Sequence, residues 1–276
     1  LKKMFEEFEF TSLLKGMEGD VRGIPKIDPS DYKTILTEKA LNQLIKLLLK
    51  KKSFAFDVET TSKKPIWARL VGISFSFEDG NAFYLPLAHR YLGVPSQLDF
   101  NMVVEKLKPI FKDQTIKKCG HNLKYDLIVM ANEGITLDGI DCDTMIVSYL
   151  LNPSNRGHGL DALALEYFGH KNIKYQDVVG TGNKEIGFDE VEIDRATQYA
   201  AEDSDMAWRL KGKLQSQLKG STLKLYQEIE LPLLEVLAEI EQNGVYVDKN
   251  HLAKLSVKMG KKLLALEKEI YRLARE

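Results

Sequence analysis

The sequence predicts an α/β fold in which helices flank a mixed sheet and a helical hairpin follows. Alternating apolar and polar residues between positions 54 and 87 predict three consecutive strands joined by turns. Between 99 and 219, helical patterns alternate with shorter strand patterns. Beyond 220, apolar residues recur at the three- and four-residue intervals of helices. With 276 residues, the chain is long enough for one large or two modest domains.

The N-terminal part of the chain is predicted to contain a linker, a helix and three antiparallel strands. Residues 1–31 mix charged with apolar residues before Gly23 and two prolines, which predicts a short helix and then a linker. Thr37 is suited to cap a helix that ends at about Lys51. The predicted strands are 54–61, 71–77 and 82–87, with a hairpin turn at Asp79-Gly80.

The middle of the chain is predicted to alternate helices with short strands. Asp99 is suited to cap the first of these helices. Residues 169–189 show neither the helical nor the strand period of apolar residues and are predicted to be a loop. A long helix is predicted from Val191 to about Lys219. The remaining predicted strands are 115–119 and 140–143, and the remaining predicted helices are 123–130, 143–151 and 159–168.

A change of pattern near residue 220 is interpreted as a domain boundary. Residues 223–243 are predicted to be helical, with a kink at Pro232 and an end at Gly244. Asp248 is suited to cap a second helix, in which leucines and other apolar residues recur at intervals of three and four. The two helices are predicted to form an antiparallel hairpin.

Charge and composition exclude several classes of protein. The 39 basic and 40 acidic residues give a formal charge of -1, which excludes a polycationic nucleic-acid coat but not a nucleic-acid enzyme with an acidic metal site. Cys119 and Cys142 are too few and too unpatterned for a disulfide framework or a zinc site, so a reducing cytoplasm fits best. No apolar run approaches the roughly 18 residues of a membrane span, and no membrane partner is expected. Because the chain begins with Leu1 and stops within a helical pattern, we expect a piece of a longer polypeptide.

Two carboxylates on the strand at 54–61 form the first candidate site. Side chains alternate along a strand, so Asp57 and Glu59 share one face while Phe54 and Phe56 point to the other, and the Cα atoms of the acidic pair lie about 6–7 Å apart. The pair repels itself unless a cation lies between its members, and hard cations such as Mg²⁺ or Mn²⁺ prefer oxygen ligands of this kind. The alternative is an edge strand with a solvated acidic face. Convergence of further carboxylates would favour the metal site.

Two helices supply such carboxylates. Asp126 closely follows a short strand, which places it near the sheet edge where sites form in α/β folds. Tyr199 and Asp203 are four residues apart and share one face of the long helix. Four carboxylates in one small site require compensating cations, and two divalent ions about 3.5–4 Å apart can activate water, hold a scissile phosphate and stabilise the leaving oxygen. The hydroxyl of Tyr199 is placed to aim the attacking water.

Three motifs, in this order and spacing, resemble one family. Residues 56–60 (FDVET), 121–126 (HNLKYD) and 199–203 (YAAED) resemble those of the 3′→5′ proofreading exonuclease domain of family A DNA polymerases, which belongs to the DEDD nuclease superfamily and has tyrosine in its last motif. The resemblance covers nearly the whole chain. It implies a ribonuclease H-like sheet and a metal-dependent enzyme that removes 5′-mononucleotides from DNA 3′ ends.

The resemblance also implies the role of each site residue. Asp57, Glu59 and Asp203 would bind one metal ion, and Asp57 would also hold the second. Asp126 would reach the second ion mainly through water, while Tyr199 would orient the attacking water. Both ions would be Mg²⁺ or Mn²⁺, with Zn²⁺ as an option at one position. The residues that would contact the terminal nucleotides of a single strand are Thr60, Asn122 and, by stacking, Tyr175.

Domain boundaries and partners follow from the same resemblance. Residues 1–31 resemble the linker after a 5′-nuclease domain, 32–220 the exonuclease domain, and 221–276 the start of a polymerase domain with helices from the base of its thumb. The palm and fingers are not represented, so no polymerisation is expected from these residues. The implied partners are a single-stranded DNA 3′ end or frayed primer terminus, and the polymerase and 5′-nuclease domains of the same chain, in a bacterial cytoplasm at the nucleoid.

One position departs from the pattern of the family. In its members, an apolar side chain a few residues after the first motif wedges the last base. Lys63 and Lys64 occupy this region here.

Two alternatives to DNA proofreading are considered. The first is an RNA-trimming relative such as ribonuclease D, which the polymerase-like segment after residue 220 disfavours. The second is a catalytically silent module that only spaces and stabilises a polymerase, which the presence of all four carboxylates and Tyr199 disfavours.

Overall fold

The computed structural model describes Met4 and residues 31–275. The short helix and linker predicted for 1–31 therefore fall almost wholly outside the described residues. Six strands of the described chain form one mixed sheet in the order β1-β4-β3-β2-β5-β6. They are β1 (Lys33–Thr34), β2 (Ser53–Thr60), β3 (Leu70–Glu78), β4 (Asn81–Pro86), β5 (Lys117–Gly120) and β6 (Ile140–Asp143).

Strand β2 lies in the interior of the sheet. It pairs antiparallel with β3 and parallel with β5, and β3 pairs antiparallel with β4. Three consecutive antiparallel strands were predicted, and this is confirmed. In the register of β2 and β3, Asp57 lies opposite Ser74 and Glu59 opposite Gly72, and a bulge follows Glu59. A bulge locally redirects side chains, so the acidic pair lies where the regular ladder ends.

The helices before residue 220 cover both faces of the sheet. Helices α1 to α3 share one apolar core with β2, and α7 packs against β2, β3 and β4. Thr37 and Asp99 cap α1 and α2 as predicted, each by accepting a backbone N–H. The helices are α1 (Glu38–Lys51), α2 (Phe100–Lys112), α3 (Leu123–Asn132), α4 (Thr144–Leu151), α5 (Leu160–Phe168), α6 (Tyr175–Val179) and α7 (Ile193–Gln215).

Aromatic rings anchor β2 from the face opposite its carboxylates. Phe54 and Phe56 are fully buried, as predicted, and pack with Phe75 and Phe111 at ring-centroid distances of 5.2–6.3 Å. On the other face, the small residues Ala200 and Ala201 of α7 are also fully buried. Small side chains allow the helix backbone to approach the sheet closely, which brings the end of the YAAED motif next to β2.

The segment 169–189 is not simply the predicted loop. It contains the short helix α6 and two 3₁₀ turns, Gly182–Lys184 and Phe188–Glu190. A helix of five residues is too short to show a period in the sequence and is not stable alone, so tertiary packing must hold it. Val178 and Val179 are buried in a cluster with Phe188 and residues of α7, and this packing supplies the missing stability.

The C-terminal region is helical, as predicted. Helix α8 (Gly220–Leu225) continues through a π-helical turn at Tyr226–Glu230 into α9 (Leu231–Asn243), so the irregularity expected at Pro232 lies directly before it. Asp248 caps α10 (Lys249–Ala274) by accepting the N–H of His251. The chain divides into two compact units, one that ends at Glu239 and one that begins at Ile240. Within the described residues, no helix combines the length and apolarity needed to cross a membrane.

Candidate active site

One pocket at the end of β2 brings the predicted site residues together. It has a volume of about 320 Å³, and we call it the carboxylate pocket. Among its lining residues are all those singled out from the sequence: Asp57, Glu59, Thr60, Asn122, Asp126, Tyr175, Tyr199 and Asp203.

Three carboxylates converge in this pocket from two elements. Asp57 and Glu59 of β2 and Asp203 of α7 each offer a carboxylate oxygen, and these oxygens lie within 4.8 Å of one another. Asp126 of α3 lines the same pocket but stands outside this group of three, and its Oδ1 accepts a 3.1 Å hydrogen bond from the N–H of Val58. The fourth carboxylate is thereby attached to the backbone between the first two.

The donor set fits a divalent metal ion. Oε1 of Glu59 is buried and has no hydrogen-bond partner among the described residues. A buried polar atom without a partner is unfavourable, and a cation would provide the missing partner. Carboxylate oxygens gathered at this spacing are the ligands that hard cations such as Mg²⁺ prefer.

Burial shifts the titration of all four carboxylates in the same direction. Loss of solvent raises the pKa of Asp57 from 3.8 to about 7. Burial also raises the pKa of Glu59, Asp126 and Asp203 well above their ordinary values, and the charge of Asp57 raises them further. In the absence of a cation, the site therefore retains protons at a pH where exposed carboxylates are ionised. A metal ion would compete with these protons.

Tyr199 lies one helical turn before Asp203 and forms a hydrogen bond with it. Burial, and then the charge of Asp203, raise the pKa of Tyr199 far above its ordinary value. The phenol consequently stays protonated across the neutral range. Because its O–H donates a hydrogen bond to Asp203, the lone pairs of its oxygen are free to accept a hydrogen bond from a water molecule in the pocket.

Comparison with known proteins decides the family of the chain. A family model described as 3′-5′ exonuclease, for the exonuclease domain of family A DNA polymerases, matches residues 32–219. The chain belongs to this exonuclease family. The ribonuclease H-like fold and the 3′-5′ exonuclease activity expected from the sequence are thus confirmed at the level of the family.

The most similar relatives include two bacterial DNA polymerases. DNA polymerase I of Pseudomonas aeruginosa is 42% identical over 248 residues, which are 88% of this chain and 27% of the relative. DNA polymerase I of Rhizobium leguminosarum is 38% identical over 267 residues, which are 90% of this chain and 26% of the relative. The chain thus spans about a quarter of the length of these relatives.

Solved structures share the fold. The polymerase domain of Pol1 from M. smegmatis, in complex with DNA primer-template and dNTP, superposes with a TM-score of 0.65 at 21% identity. The superposition covers 87% of this chain and 37% of the M. smegmatis chain. Brucella melitensis NrnC has a TM-score of 0.55 at 25% identity, over 70% of this chain and 86% of its own. These similarities agree with the α/β architecture of the exonuclease.

Tyr125 is a pocket residue that the sequence analysis quoted in a motif but gave no role. Its hydroxyl donates a hydrogen bond to the carbonyl of Ser62 and contacts the hydroxyl of Thr60. It therefore fixes the end of β2 to α3 of the exonuclease. Its place in the HNLKYD motif, one residue before Asp126, was the available signal.

Asp143 organises the loop that carries Asn122. Its carboxylate accepts the N–H groups of Asn122 and Leu123, at 3.2 and 2.8 Å, and also those of Met145 and Ile146 at the start of α4. Asn122 adopts a left-handed backbone conformation with φ 64°, which asparagine tolerates better than most residues. The sequence predicted a helix that starts at 143, but it did not predict that the carboxylate of Asp143 also holds the start of α3.

Beneath the carboxylates, Gly72 and Tyr84 form a close contact that the sequence analysis missed. A side chain at Gly72 would collide with the Tyr84 hydroxyl, so only glycine fits opposite Glu59. The Tyr84 hydroxyl is hydrogen-bonded to Nε2 of His89 at 2.8 Å. Burial, followed by the charges of Glu59 and Asp57, raises the pKa of Tyr84, so the floor of the site remains uncharged.

His121 adds no positive charge to the pocket at neutral pH. Its Nδ1 lies 2.8 Å from Oγ1 of Thr144, and burial lowers the pKa of the ring to about 4. Among the described residues that line the pocket, the remaining basic side chain is Lys63.

Proposed function

We propose that this chain is a two-metal-ion exonuclease that hydrolyses DNA 3′ ends to nucleoside 5′-monophosphates, as the proofreading part of a DNA polymerase I. The observation that carries the proposal is the convergence of Asp57, Glu59 and Asp203, whose carboxylate oxygens lie within 4.8 Å of one another. In addition, the buried Oε1 of Glu59 has no hydrogen-bond partner among the described residues. The length of the polymerase I relatives supports the view that this chain acts within a larger enzyme.

The four carboxylates would hold two Mg²⁺ or Mn²⁺ ions, with Zn²⁺ as an alternative in one position. Asp57, Glu59 and Asp203 would bind one ion, Asp57 would be shared with the second, and Asp126 would reach the second through water. When bound, the ions supply Lewis-acid stabilisation of the charge on the attacking and leaving oxygens of an in-line displacement.

The side chains of the pocket would position the reactants. The Tyr199 oxygen accepts a hydrogen bond from the attacking water and aims it at the last phosphodiester. Cleavage of the bond between phosphorus and the 3′ oxygen leaves a 3′ hydroxyl on the shortened strand and releases a nucleotide with its 5′-phosphate. Thr60 and Asn122 would contact the terminal nucleotides, and Tyr175 would stack on a base.

The proposal includes the place of the chain in the larger enzyme. Residues 32–220 would form the exonuclease domain, 221–276 the first helices of the polymerase domain, and 1–31 the linker from a 5′-nuclease domain. The DNA partner would be a single-stranded 3′ end or a frayed primer terminus, in the bacterial cytoplasm.

A 5′-labelled single-stranded oligonucleotide tests the proposal. Incubation with Mg²⁺ or Mn²⁺ is expected to shorten the oligonucleotide stepwise from a free 3′ end, which gives a ladder of labelled products. An oligonucleotide with a blocked 3′ end, or a reaction that contains chelator, should show no shortening. A matched RNA strand should be trimmed more slowly. Faster trimming of RNA would favour the ribonuclease D-like alternative. Absence of cleavage with every metal, also in the full-length polymerase, would favour the silent module.

A further inference from the structure

Lys63 lies at the mouth of the carboxylate pocket and faces an aromatic ring. Its side chain lines the pocket, and its Nζ lies 5.2 Å from the centre of the Tyr175 ring. Tyr175 itself is half-buried and is held by Phe188, with centroids 6.3 Å apart, and by Tyr199, at 6.1 Å. A ring supported by two other aromatic rings thus carries the ammonium group of an exposed lysine.

The charges of the pocket leave a role for this ammonium group. Four carboxylates and two divalent ions would neutralise each other, so the site without Lys63 would carry no net charge to attract a phosphodiester. His121 is neutral at neutral pH, and Lys63 is the one lysine or arginine among the described lining residues. With Lys63 included, the site gains one positive charge, which equals the single negative charge of a DNA linkage.

Stacking of a base on Tyr175 would displace the ammonium group from the ring. A cation over an exposed aromatic ring is held weakly, and lysine has a flexible stem of four carbons that lets its charge move. Because the carboxylates of the pocket would be engaged with metal ions, the anion available to the displaced ammonium group would be a phosphate of the same strand. The base and the ammonium group would therefore exchange places as DNA enters.

We infer that Lys63 is a strand-binding residue that rests on Tyr175 in the free protein and binds a phosphate of the DNA strand once a base occupies that ring. This inference rests on the proposed function. An apolar side chain at this position would act on the terminal base by packing alone, whereas a lysine makes binding of the strand end depend on charge and therefore on salt.

Binding to a single strand tests the inference without requiring cleavage. The probe is a 5′-fluorescein oligonucleotide with cleavage-resistant phosphorothioate linkages at its 3′ end, titrated by anisotropy in Mg²⁺ between about 50 and 200 mM NaCl. Lys63→Met should raise Kd about 3- to 10-fold at the lowest salt and make the slope of log Kd against log salt shallower by about 0.7, the value for one phosphate contact on a single strand. Lys63→Arg should retain the slope of the wild type.

Lys64→Met is the matched control. Lys64 is the adjacent exposed lysine, but its side chain does not line the pocket, and its backbone N–H bonds to Oγ of Ser62 at 3.1 Å. This variant should bind with the affinity and slope of the wild type. Equal slopes for wild type and Lys63→Met, or an equal loss in Lys64→Met, would overturn the inference.

Neutral methylphosphonate linkages identify the phosphate. Replacing the contacted linkage should weaken binding by the wild type but leave Lys63→Met unaffected, because the charge pair is already lost. If every linkage weakens both proteins equally, Lys63 contacts no particular phosphate and the inference fails. The proposed function fails separately, when the wild type does not shorten free 3′ ends.

Discussion

The carboxylate of Asp126 accepts a hydrogen bond from the backbone N–H of Val58, the residue between Asp57 and Glu59, although the two partners lie 68 positions apart in the chain. Asp126 is only 3% exposed. One of its oxygens thus holds β2 in place against α3, and the residue also lines the carboxylate pocket. Asp126 combines a structural contact with its proposed place at the second metal ion.

Two substitutions of Asp126 should separate these contributions. Asp126→Asn keeps an oxygen that accepts the Val58 N–H but removes the buried charge, so cleavage should fall more than about 100-fold while stability should not fall. Asp126→Ala should lose cleavage equally, and its free energy of unfolding should lie about 1–3 kcal/mol below that of Asp126→Asn, because the buried N–H of Val58 loses its partner. Urea unfolding and single-turnover cleavage measure both effects. Full cleavage by Asp126→Asn would remove Asp126 from the proposed mechanism.

Asp57→Asn should stabilise the metal-free protein in a pH-dependent way. The folded protein keeps a proton on Asp57 up to a pKa of about 7, whereas the unfolded chain releases it near the ordinary value of 3.8. Stability is therefore lost as the pH rises through this window. Asparagine cannot ionise, so in chelator the variant should exceed wild type by about 1–3 kcal/mol at pH near 8 and by little at pH near 4.

The control for Asp57→Asn is Glu235→Gln, which changes an exposed carboxylate within α9. Its unfolding free energy should follow that of wild type at both pH values. Mg²⁺ or Mn²⁺ should raise the Tm of the wild type. The same ions should raise the Tm of Asp57→Asn much less, because this variant lacks one carboxylate ligand of the metal. Parallel pH dependence in wild type and Asp57→Asn would contradict the buried, repelling carboxylates described here.

Tyr199→Phe should slow the chemical step without changing its pH dependence. The variant loses the oxygen that is proposed to aim the water, and we expect single-turnover rates about 10- to 100-fold lower with little change in KM. Because burial and Asp203 raise the pKa of Tyr199, the phenol does not titrate in the neutral range, and the pH profile should keep the shape of the wild type. Tyr246→Phe, at a side chain that is 90% exposed, should have no effect. An altered pH profile would instead indicate that Tyr199 transfers a proton.

Tyr226→Phe should weaken a link between the C-terminal helices and the active site. The Tyr226 oxygen accepts the N–H of Asp143 at 3.0 Å, and the ring is 1% exposed. Loss of this buried acceptor should lower the free energy of unfolding by about 1–3 kcal/mol. The carboxylate of Asp143 holds the start of α3, which carries Asp126. Tyr226→Phe is therefore also expected to lower activity, but by less than Asp126→Asn does. Urea unfolding measures this loss. An unchanged midpoint in Tyr226→Phe would show that water replaces Tyr226 as the partner of the Asp143 N–H.

Truncation should show that the folded unit extends past the family match. Tyr226 and Leu234 are buried in the same apolar clusters as the sheet and α7, although the family match ends at residue 219. A chain that stops at 219 should therefore unfold at a clearly lower temperature than one that stops at 239. Equal Tm values, measured by circular dichroism, would show that these helices add no stability to the first unit.

The sequence by itself determined the local elements and the identity of the reactive groups. The alternation in β2 assigned Phe54 and Phe56 to the core and the acidic pair to the other face, and Thr37 and Asp99 marked helix starts, because strand periods and caps depend on residues two to four positions apart. The motifs with Asp57, Asp126 and Asp203 were readable for the same reason, since each is a short segment with its own spacing.

Only the tertiary structure decided how these groups meet. The bond from Val58 to Asp126, the insertion of Tyr226 beside Asp143 and the position of Lys63 over Tyr175 join residues tens of positions apart. The short helix α6 exists because its valines are buried against α7. Such contacts depend on the order and register of strands and on which helix faces pack together, and no local pattern of residues encodes either of these.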